Sequence, residues 1–405
     1  DHCAVRGALQ SLLGEGYLLG PHRYVHTTQP GSGNGGYHKD CYGAGAWGCD
    51  HMLRHPRPTM LMGLYYPHDV TIENGPTCII PRRSAYESIS TADPAQVTEP
   101  EFPLTCTGGT IIFTPFDTWH RPSANIGTTR RHLLKFHFHR YASPAVSPHC
   151  GGCDWLLPPL RPVGSPPAPH ASALTAAADE MLAQSTYEWI CGRGARAGML
   201  GDMLADSELH ELQASLRSED EAARLYAAYR LARSAANTDG VVEILVDALR
   251  EQVALAAPGI VWDDEDWIEA ARPPANLHGT NPTALSAAQA LAASGSAGHA
   301  TLIALLQEKE HESHWLLRVH ALDALSLSGQ VCEPKLNAAL KSAMLALLAD
   351  ENYWVRRSAS EAVGRGVIAS SAAVVTGVVQ HLQDTHRHVR RQAAISLGQL
   401  GPAAT

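Results

Sequence analysis

Hydrophobic and polar positions follow two different periods along this chain. Up to about residue 141 the apolar residues come in short runs broken by turn residues. Met60-Leu61-Met62-Gly63-Leu64-Tyr65-Tyr66 has the length and composition of a buried strand. From Arg131 to His139 the pattern alternates: Arg131, Leu133, Lys135, His137 and His139 fall on one strand face, and His132, Leu134, Phe136, Phe138 and Arg140 on the other. The second set holds the larger apolar groups and is the face expected to pack, which turns Arg131 and Lys135 toward a cavity. Thr110 to Thr114 reads as a strand leading to Trp119-His120. Val70-Thr71-Ile72 and Thr77-Cys78-Ile79-Ile80 flank Glu73-Asn74-Gly75-Pro76, whose Asn-Gly step predicts a tight hairpin. Gly31 to Gly36 is a loop signal. Short strands with this punctuation predict a closed β-barrel or sandwich.

Beyond residue 143 the pattern changes. Prolines crowd positions 144–171, where they remove backbone donors and block helix continuation, so this segment is expected to be an extended linker. From Ser172 the chain is rich in Ala and Leu at helical spacing, beginning with a helix to about Ile190 that Gly192 would end. Residues 172–204 read as connecting helices. Arg318-Val-His-Ala321, Arg356-Arg-Ser-Ala359 and Arg390-Arg-Gln-Ala393 head matching helices, with Arg224 and Ala284 at the start of earlier copies. Asp350 and Asp384 each precede the second helix of a pair. The period resembles HEAT repeats, which implies an all-α solenoid of paired helices over 205–405, interrupted by an acidic insertion at about 255–282 that carries Trp262 and Trp267. His386 and His388 are expected to be solvated.

Composition narrows the function classes. A chain of 405 residues with 45% hydrophobic residues can build two cores, and a formal charge of −9 with a pI near 6.2 argues against a general nucleic-acid binder. No apolar run is long enough to span a membrane. Nine cysteines, an odd number, suit reduced thiols in a cytoplasmic setting. Cys150-Gly-Gly-Cys153 lacks the matching second pair of a zinc site.

The candidate chemistry lies in His38-Lys39-Asp40. Residues i and i+2 of a strand share a face, so His38 and Asp40 can grip one ion, and His120, 82 residues on, supplies a third ligand. Two histidines and a carboxylate make the facial triad of non-heme Fe(II) oxygenases. His38-x-Asp40, Tyr65-Tyr66-Pro67-His68-Asp69-Val70-Thr71, Glu73-Asn74-Gly75-Pro76-Thr77 with Pro81, Gly108-Gly109-Thr110-Ile111-Ile112-Phe113, and Trp119-His120 with Asn125 and Arg131 together resemble the phytanoyl-CoA dioxygenase family over residues 10 to 141.

That resemblance implies an all-β double-stranded β-helix (jelly-roll, cupin-like) domain over residues 1–143. It implies Fe(II) on His38, Asp40 and His120, and 2-oxoglutarate and O2 as cosubstrates. It also implies that Arg131 binds the distal carboxylate of 2-oxoglutarate, a task suited to a planar, always charged guanidinium. Thr28, Tyr66 and Ser123 are further candidates for cosubstrate contact, and Tyr24 and His26 for cavity lining. Ser123 stands in for a hydroxyl residue that relatives place where Pro122 sits here. Asp40 favours hydroxylation, because halogenating relatives have a small residue at that place. Relatives usually show Pro-Gly-Ser where this chain has Pro81-Arg82-Arg83-Ser84, and the two arginines face either solvent or an anionic substrate. The implied activity is oxidative decarboxylation of 2-oxoglutarate to succinate and CO2, coupled to hydroxylation of a small organic substrate. Two alternatives remain open: hydroxylation of a protein or peptide docked on the repeats, and a metal-binding scaffold without turnover.

Overall fold

The computed structural model describes residues 2–40, 57–86, 88–140, 144, 172–192, 202–256, 284–308, 314–328, 334–369 and 371–401. Among them are two units: one holds the residues up to Arg140 together with 172–183, the other the residues from Gln184 on. The Pro-rich segment after Pro144, Cys150 and Cys153, and the insertion with Trp262 and Trp267 lie outside the described residues.

The first unit contains α1 (Cys3–Leu13), β1 (Leu18–Thr28), β2 (Met60–Tyr66), β3 (Thr77–Ile79), β4 (Phe102–Pro103), β5 (Thr110–Pro115), β6 (His120–Pro122) and β7 (Arg131–His139). The strands form two antiparallel sheets, ordered β1-β7-β2-β5 and β4-β3-β6. β7 lies between β1 and β2, so its two faces settle what each side of the larger sheet does. Leu133 packs with Met62, Leu64, Tyr66, Val70, Leu104 and Phe116 in one core. Phe138, on the other face, packs with Leu61 against Leu9 and Leu13 of α1, joined by Phe113 and Phe136. Leu9 and Leu13 stand four apart and share one side of α1. Each such side chain contributes about 1.5–3 kcal/mol when fully buried. Gly63 lies where two aromatic rings meet: a Cβ there would come within 2.9 Å of Phe138 and 3.2 Å of Phe113.

The Phe136 and Phe138 face therefore packs as its composition predicts, under a helix that the hydrophobic pattern left unassigned. Two other expectations are corrected. The described strands form two open sheets and no closed barrel. The Asn74-Gly75 hairpin does not form either, since β3 pairs with β4 and β6 and Val70 makes only a lone bridge to Cys106. The Asn74 side chain accepts from the Thr71 amide and donates to the Asp69 carbonyl, closing its own loop. Gly75 alone of the pair has a positive φ, at 79°, whereas a type I′ turn needs two.

The helical unit begins within α2 (Ala173–Ile190). It continues with α3 (Asp206–Ser215), α4 (Glu221–Ser234), α5 (Val241–Ala256), α6 (Ala284–Ala293), α7 (Gly295–Leu305), α8 (His314–Ser328), α9 (Pro334–Leu348), α10 (Tyr353–Gly364), α11 (Ala372–Gln380) and α12 (Arg387–Leu400). α4, α6, α8, α10 and α12 stack each on the next. The repeated arginine has a repeated job. Arg356 Nη1 donates to the carbonyls of Asp350 and Glu351, Arg390 Nη1 to those of Asp384 and Thr385, and Arg224 Nη1 to those of Ser218 and Glu219. Arg356 also forks onto Asp384 of the following repeat at 2.7 and 3.0 Å, and Arg318 reaches Asp350 at 3.1 Å. One arginine thus ties its helix to the turn before it and to the repeat after it, which is why arginine and aspartate recur together. No helix of the described residues is long and apolar enough to cross a membrane. His386 and His388 are half-buried, stacked on Tyr353 and Trp354 respectively, and not solvated as expected.

His320 of α8 is fully enclosed with neither ring nitrogen hydrogen-bonded among the described residues, and burial holds its pKa down at about 4. Above pH 6.5 the ring is neutral in folded and unfolded chains alike. Below that only the unfolded chain takes up the proton, so stability falls by about 3 kcal/mol as pH drops from 6.5 to 4. His320→Leu is expected to remove that contribution. The gap between the thermal midpoints of variant and wild type should move in the variant's favour between pH 7.5 and pH 4.5, and a constant gap contradicts the assignment.

Candidate metal centre

His38 and His120 exchange both backbone hydrogen bonds, His38 N–H to His120 O at 3.0 Å and the reverse at 2.9 Å. Residues directly opposite in an antiparallel pair carry their side chains on the same face. The two rings accordingly lie 4.4 Å apart between centroids. Asp40, two residues past His38, shares that face: its Oδ1 is 3.8 Å from His38 Nε2 and its Oδ2 3.7 Å from His120 Nε2. One ligand atom from each of the three lies within 4.8 Å of the others, the only such set of three or more metal-binding groups among the described residues.

Neighbouring residues point the other way and lock the ligand face from behind. Tyr37 and Arg121, which flank His38 and His120, both bind Glu101; Arg121 does so with two nitrogens at 2.7 and 2.8 Å. Lys39 is 1% exposed and donates to the carbonyls of Ser84 and Tyr86, at 2.9 and 2.6 Å. Trp119 Nε1 donates to the same Tyr86 carbonyl at 3.1 Å. Cys78, buried beside this network, has its thiol pushed up to about 12 by desolvation and by Glu101, which leaves it inert.

Both imidazoles are oriented through Nδ1. His120 Nδ1 lies 2.9 Å from the Thr118 carbonyl and His38 Nδ1 3.1 Å from that of Gly36. A carbonyl can only accept, so Nδ1 carries the proton and Nε2 keeps the lone pair a metal needs. Burial lowers the His120 pKa to about 4, more than the nearby Asp40 raises it, and the ring is neutral at physiological pH. Burial alone would raise the Asp40 pKa, but His120, Lys135 and His38 outweigh it and bring it down to about 2. The donor set is therefore two imidazoles and one carboxylate, the composition of the facial triad. Lys135 donates directly to Asp40 Oδ2.

Arg131, at the start of β7, is 1% exposed. Its Nε donates to the Gly75 carbonyl at 2.8 Å, and Nη1 has no partner among the described residues. Desolvation lowers its pKa, and no carboxylate among the described residues offsets this. Tyr66 is equally enclosed, its hydroxyl lies beside Thr77, and its ring centroid lies 6.0 Å from the guanidinium carbon. Thr28 sits opposite Arg131 on β1, and Tyr24 and His26 sit opposite Lys135 and Leu133, which puts all three on the Arg131 face. Tyr24 and His26 are exposed at this edge strand. Ser123 uses its hydroxyl on the Pro76 carbonyl at 2.7 Å, so its proton is committed to the backbone.

The expectation for Arg83 is corrected. Arg83 faces neither solvent nor a substrate: it is buried in an ion pair with Asp179, which also accepts from the Tyr86 hydroxyl at 2.9 Å. Arg82 adopts a positive φ of 62°, the one non-glycine residue to do so among the described residues.

A family model for HEAT repeats matches residues 340–405. No curated protein matches the chain. Among solved structures, the chain is similar to the non-heme monooxygenase ThoJ in its nickel complex, at 18% identity over 36% of this chain and 55% of that one, with a TM-score of 0.28. It is similar to SnoN, a non-heme alpha ketoglutarate dependent epimerase from nogalamycin biosynthesis, at 17% identity over 35% and 54%, TM-score 0.27. AviO1 from Streptomyces viridochromogenes matches at 14% over 42% and 62%, TM-score 0.27. The chain thus spans little more than half the length of the first of these.

Proposed function

We propose that the chain is an Fe(II)/2-oxoglutarate-dependent dioxygenase that hydroxylates a small organic substrate, its first unit a jelly-roll of the phytanoyl-CoA dioxygenase type joined to HEAT repeats. The observation that carries this reading is the enclosed, uncompensated Arg131 on the strand that also sends Lys135 to the His38, Asp40 and His120 cluster. A buried cation with an open donor is costly, and a dicarboxylate that binds a metal at one end and a guanidinium at the other relieves that cost.

His38, Asp40 and His120 would hold the iron, which supplies the activation of dioxygen when bound. Gly36 and Thr118 hold the imidazoles in the tautomer that presents Nε2. Arg131 binds the far carboxylate of 2-oxoglutarate, and the Tyr66 ring lies beside the guanidinium, its centroid 6.0 Å away. The enclosed floor of Tyr66, Met62, Leu64 and Leu133 keeps water from the cosubstrate.

The test is succinate release from 2-oxoglutarate by the full chain, first stripped with chelator and then given Fe(II) under air. Iron-dependent succinate is expected even without the primary substrate, as slow uncoupled turnover. A protein that binds the metal and releases none is a scaffold; one that binds no divalent ion at all sinks the metal site as well.

A further inference from the structure

Each of the three clustered side chains has one partner outside the cluster. For His38 and His120 it is a backbone carbonyl; for Asp40 it is Lys135, its only hydrogen-bond partner among the described residues. Asp40 is also the one of the three that is ambiguous, since a carboxylate has two equivalent oxygens and can turn to offer a metal either one or both.

Lys135 is well built to remove that ambiguity. It stands opposite Leu64 of β2 and Tyr24 of β1 in the middle of the larger sheet, so its backbone is held from both sides. It is 6% exposed and comes to the cluster from the face it shares with Arg131 and Leu133. Its ammonium contacts Oδ2, the oxygen 3.7 Å from His120 Nε2, while Oδ1 faces His38 Nε2 at 3.8 Å with no such contact. An ammonium on a fixed strand draws charge from Oδ2 and fixes the carboxylate's rotation, which favours Oδ1 as the oxygen given to a metal.

Resting on the metal-binding reading above, we infer that Lys135 is a positioning residue that makes Asp40 a one-oxygen ligand and so keeps a coordination position free for cosubstrate or dioxygen. Were Asp40 to bind through both oxygens, it would occupy a place the reaction needs. Metal affinity alone does not isolate this role. Loss of the anchor weakens binding, by about 10–100-fold for outer partners of this kind, while removal of a neighbouring positive charge strengthens it. The coordination state is the cleaner readout.

Mn(II) is loaded into the full-length wild type, Lys135→Met and Lys135→Arg, and water-proton relaxivity per bound ion is measured. Lys135→Met is expected to lose a coordinated water, lowering the inner-sphere contribution by about a third for an octahedral ion with three protein ligands, and Lys135→Arg to match wild type. Infrared difference spectra of wild type with isotopically labelled aspartate should show the wide carboxylate splitting of one-oxygen binding, a readout that stands even if Lys135→Met fails to fold. Equal relaxivity in wild type and Lys135→Met overturns the inference, as does a narrow splitting in wild type, and both leave the metal site standing. Wild type that takes up no Mn(II) overturns the metal site and this inference together.

Discussion

Replacing His120 with alanine is expected to give a folded protein that binds divalent ions at least about 100-fold more weakly and shows no iron-dependent succinate release. His120 meets His38 through backbone hydrogen bonds that alanine keeps, so the pairing of the two segments survives. What goes is one of two imidazole nitrogen donors, and the remaining His38 is the more exposed ligand, with 46% of its side chain open to solvent. The variant also loses a buried ring that must stay unprotonated, so its stability should hold up better than that of wild type between pH 6.5 and 4. Asp40→Ala is the less clean experiment. It leaves Lys135 enclosed with no counter-charge, and breaking a buried pair from one side costs about 3–5 kcal/mol. Titration of both proteins with Mn(II), alongside circular dichroism to establish folding, decides the matter: a His120→Ala protein with wild-type affinity removes His120 from the ligand set.

The parts of the structure that were legible in the sequence are those set by local period. Met60–Tyr66 and Arg131–His139 are strands with the expected bounds, because a run of apolar residues and a strict alternation each have one good solution. The same alternation put Arg131 and Lys135 together on the inner face. The repeated Arg and Asp of the helical unit were visible because each copy makes the same contacts. What was not legible depends on partners distant in the chain. Nothing in Asn74-Gly75 reveals that Asn74 closes its own loop while Thr77–Ile79 pairs with strands 25 and 43 residues further on, from Phe102 and His120. Arg83 looked like a surface charge because Asp179, 96 residues away, carries no mark of being its partner. The two histidines could be nominated from residue type, but their direct opposition is a matter of register, which spacing does not supply.

Arg131→Met is expected to separate stability from function. In wild type the guanidinium is 1% exposed, held by one bond to the Gly75 carbonyl at 2.8 Å, with Nη1 open and no acid to meet its charge among the described residues. Enclosing an ion without compensation costs several kcal/mol. A methionine fills similar length with apolar atoms and leaves only the Gly75 carbonyl without its donor, a loss of about 1 kcal/mol. The variant should therefore be more stable than wild type by about 1–4 kcal/mol, read as a raised thermal midpoint. Its half-saturating 2-oxoglutarate should rise about 100-fold, the worth of a forked charge-assisted contact of about 2.7 kcal/mol. Lys at the same place keeps the charge without the fork and should fall between the two. Saturating 2-oxoglutarate with Mn(II) should raise the midpoint of wild type and leave that of Arg131→Met nearly unmoved, since a ligand stabilises only the state that binds it. A methionine variant that loses stability and keeps its affinity would make Arg131 a structural anchor for the Gly75 loop, and the cosubstrate would then need another cation. The opposite signs of the two effects are what give the experiment its force: a residue retained for packing alone has no reason to improve the fold when it is removed.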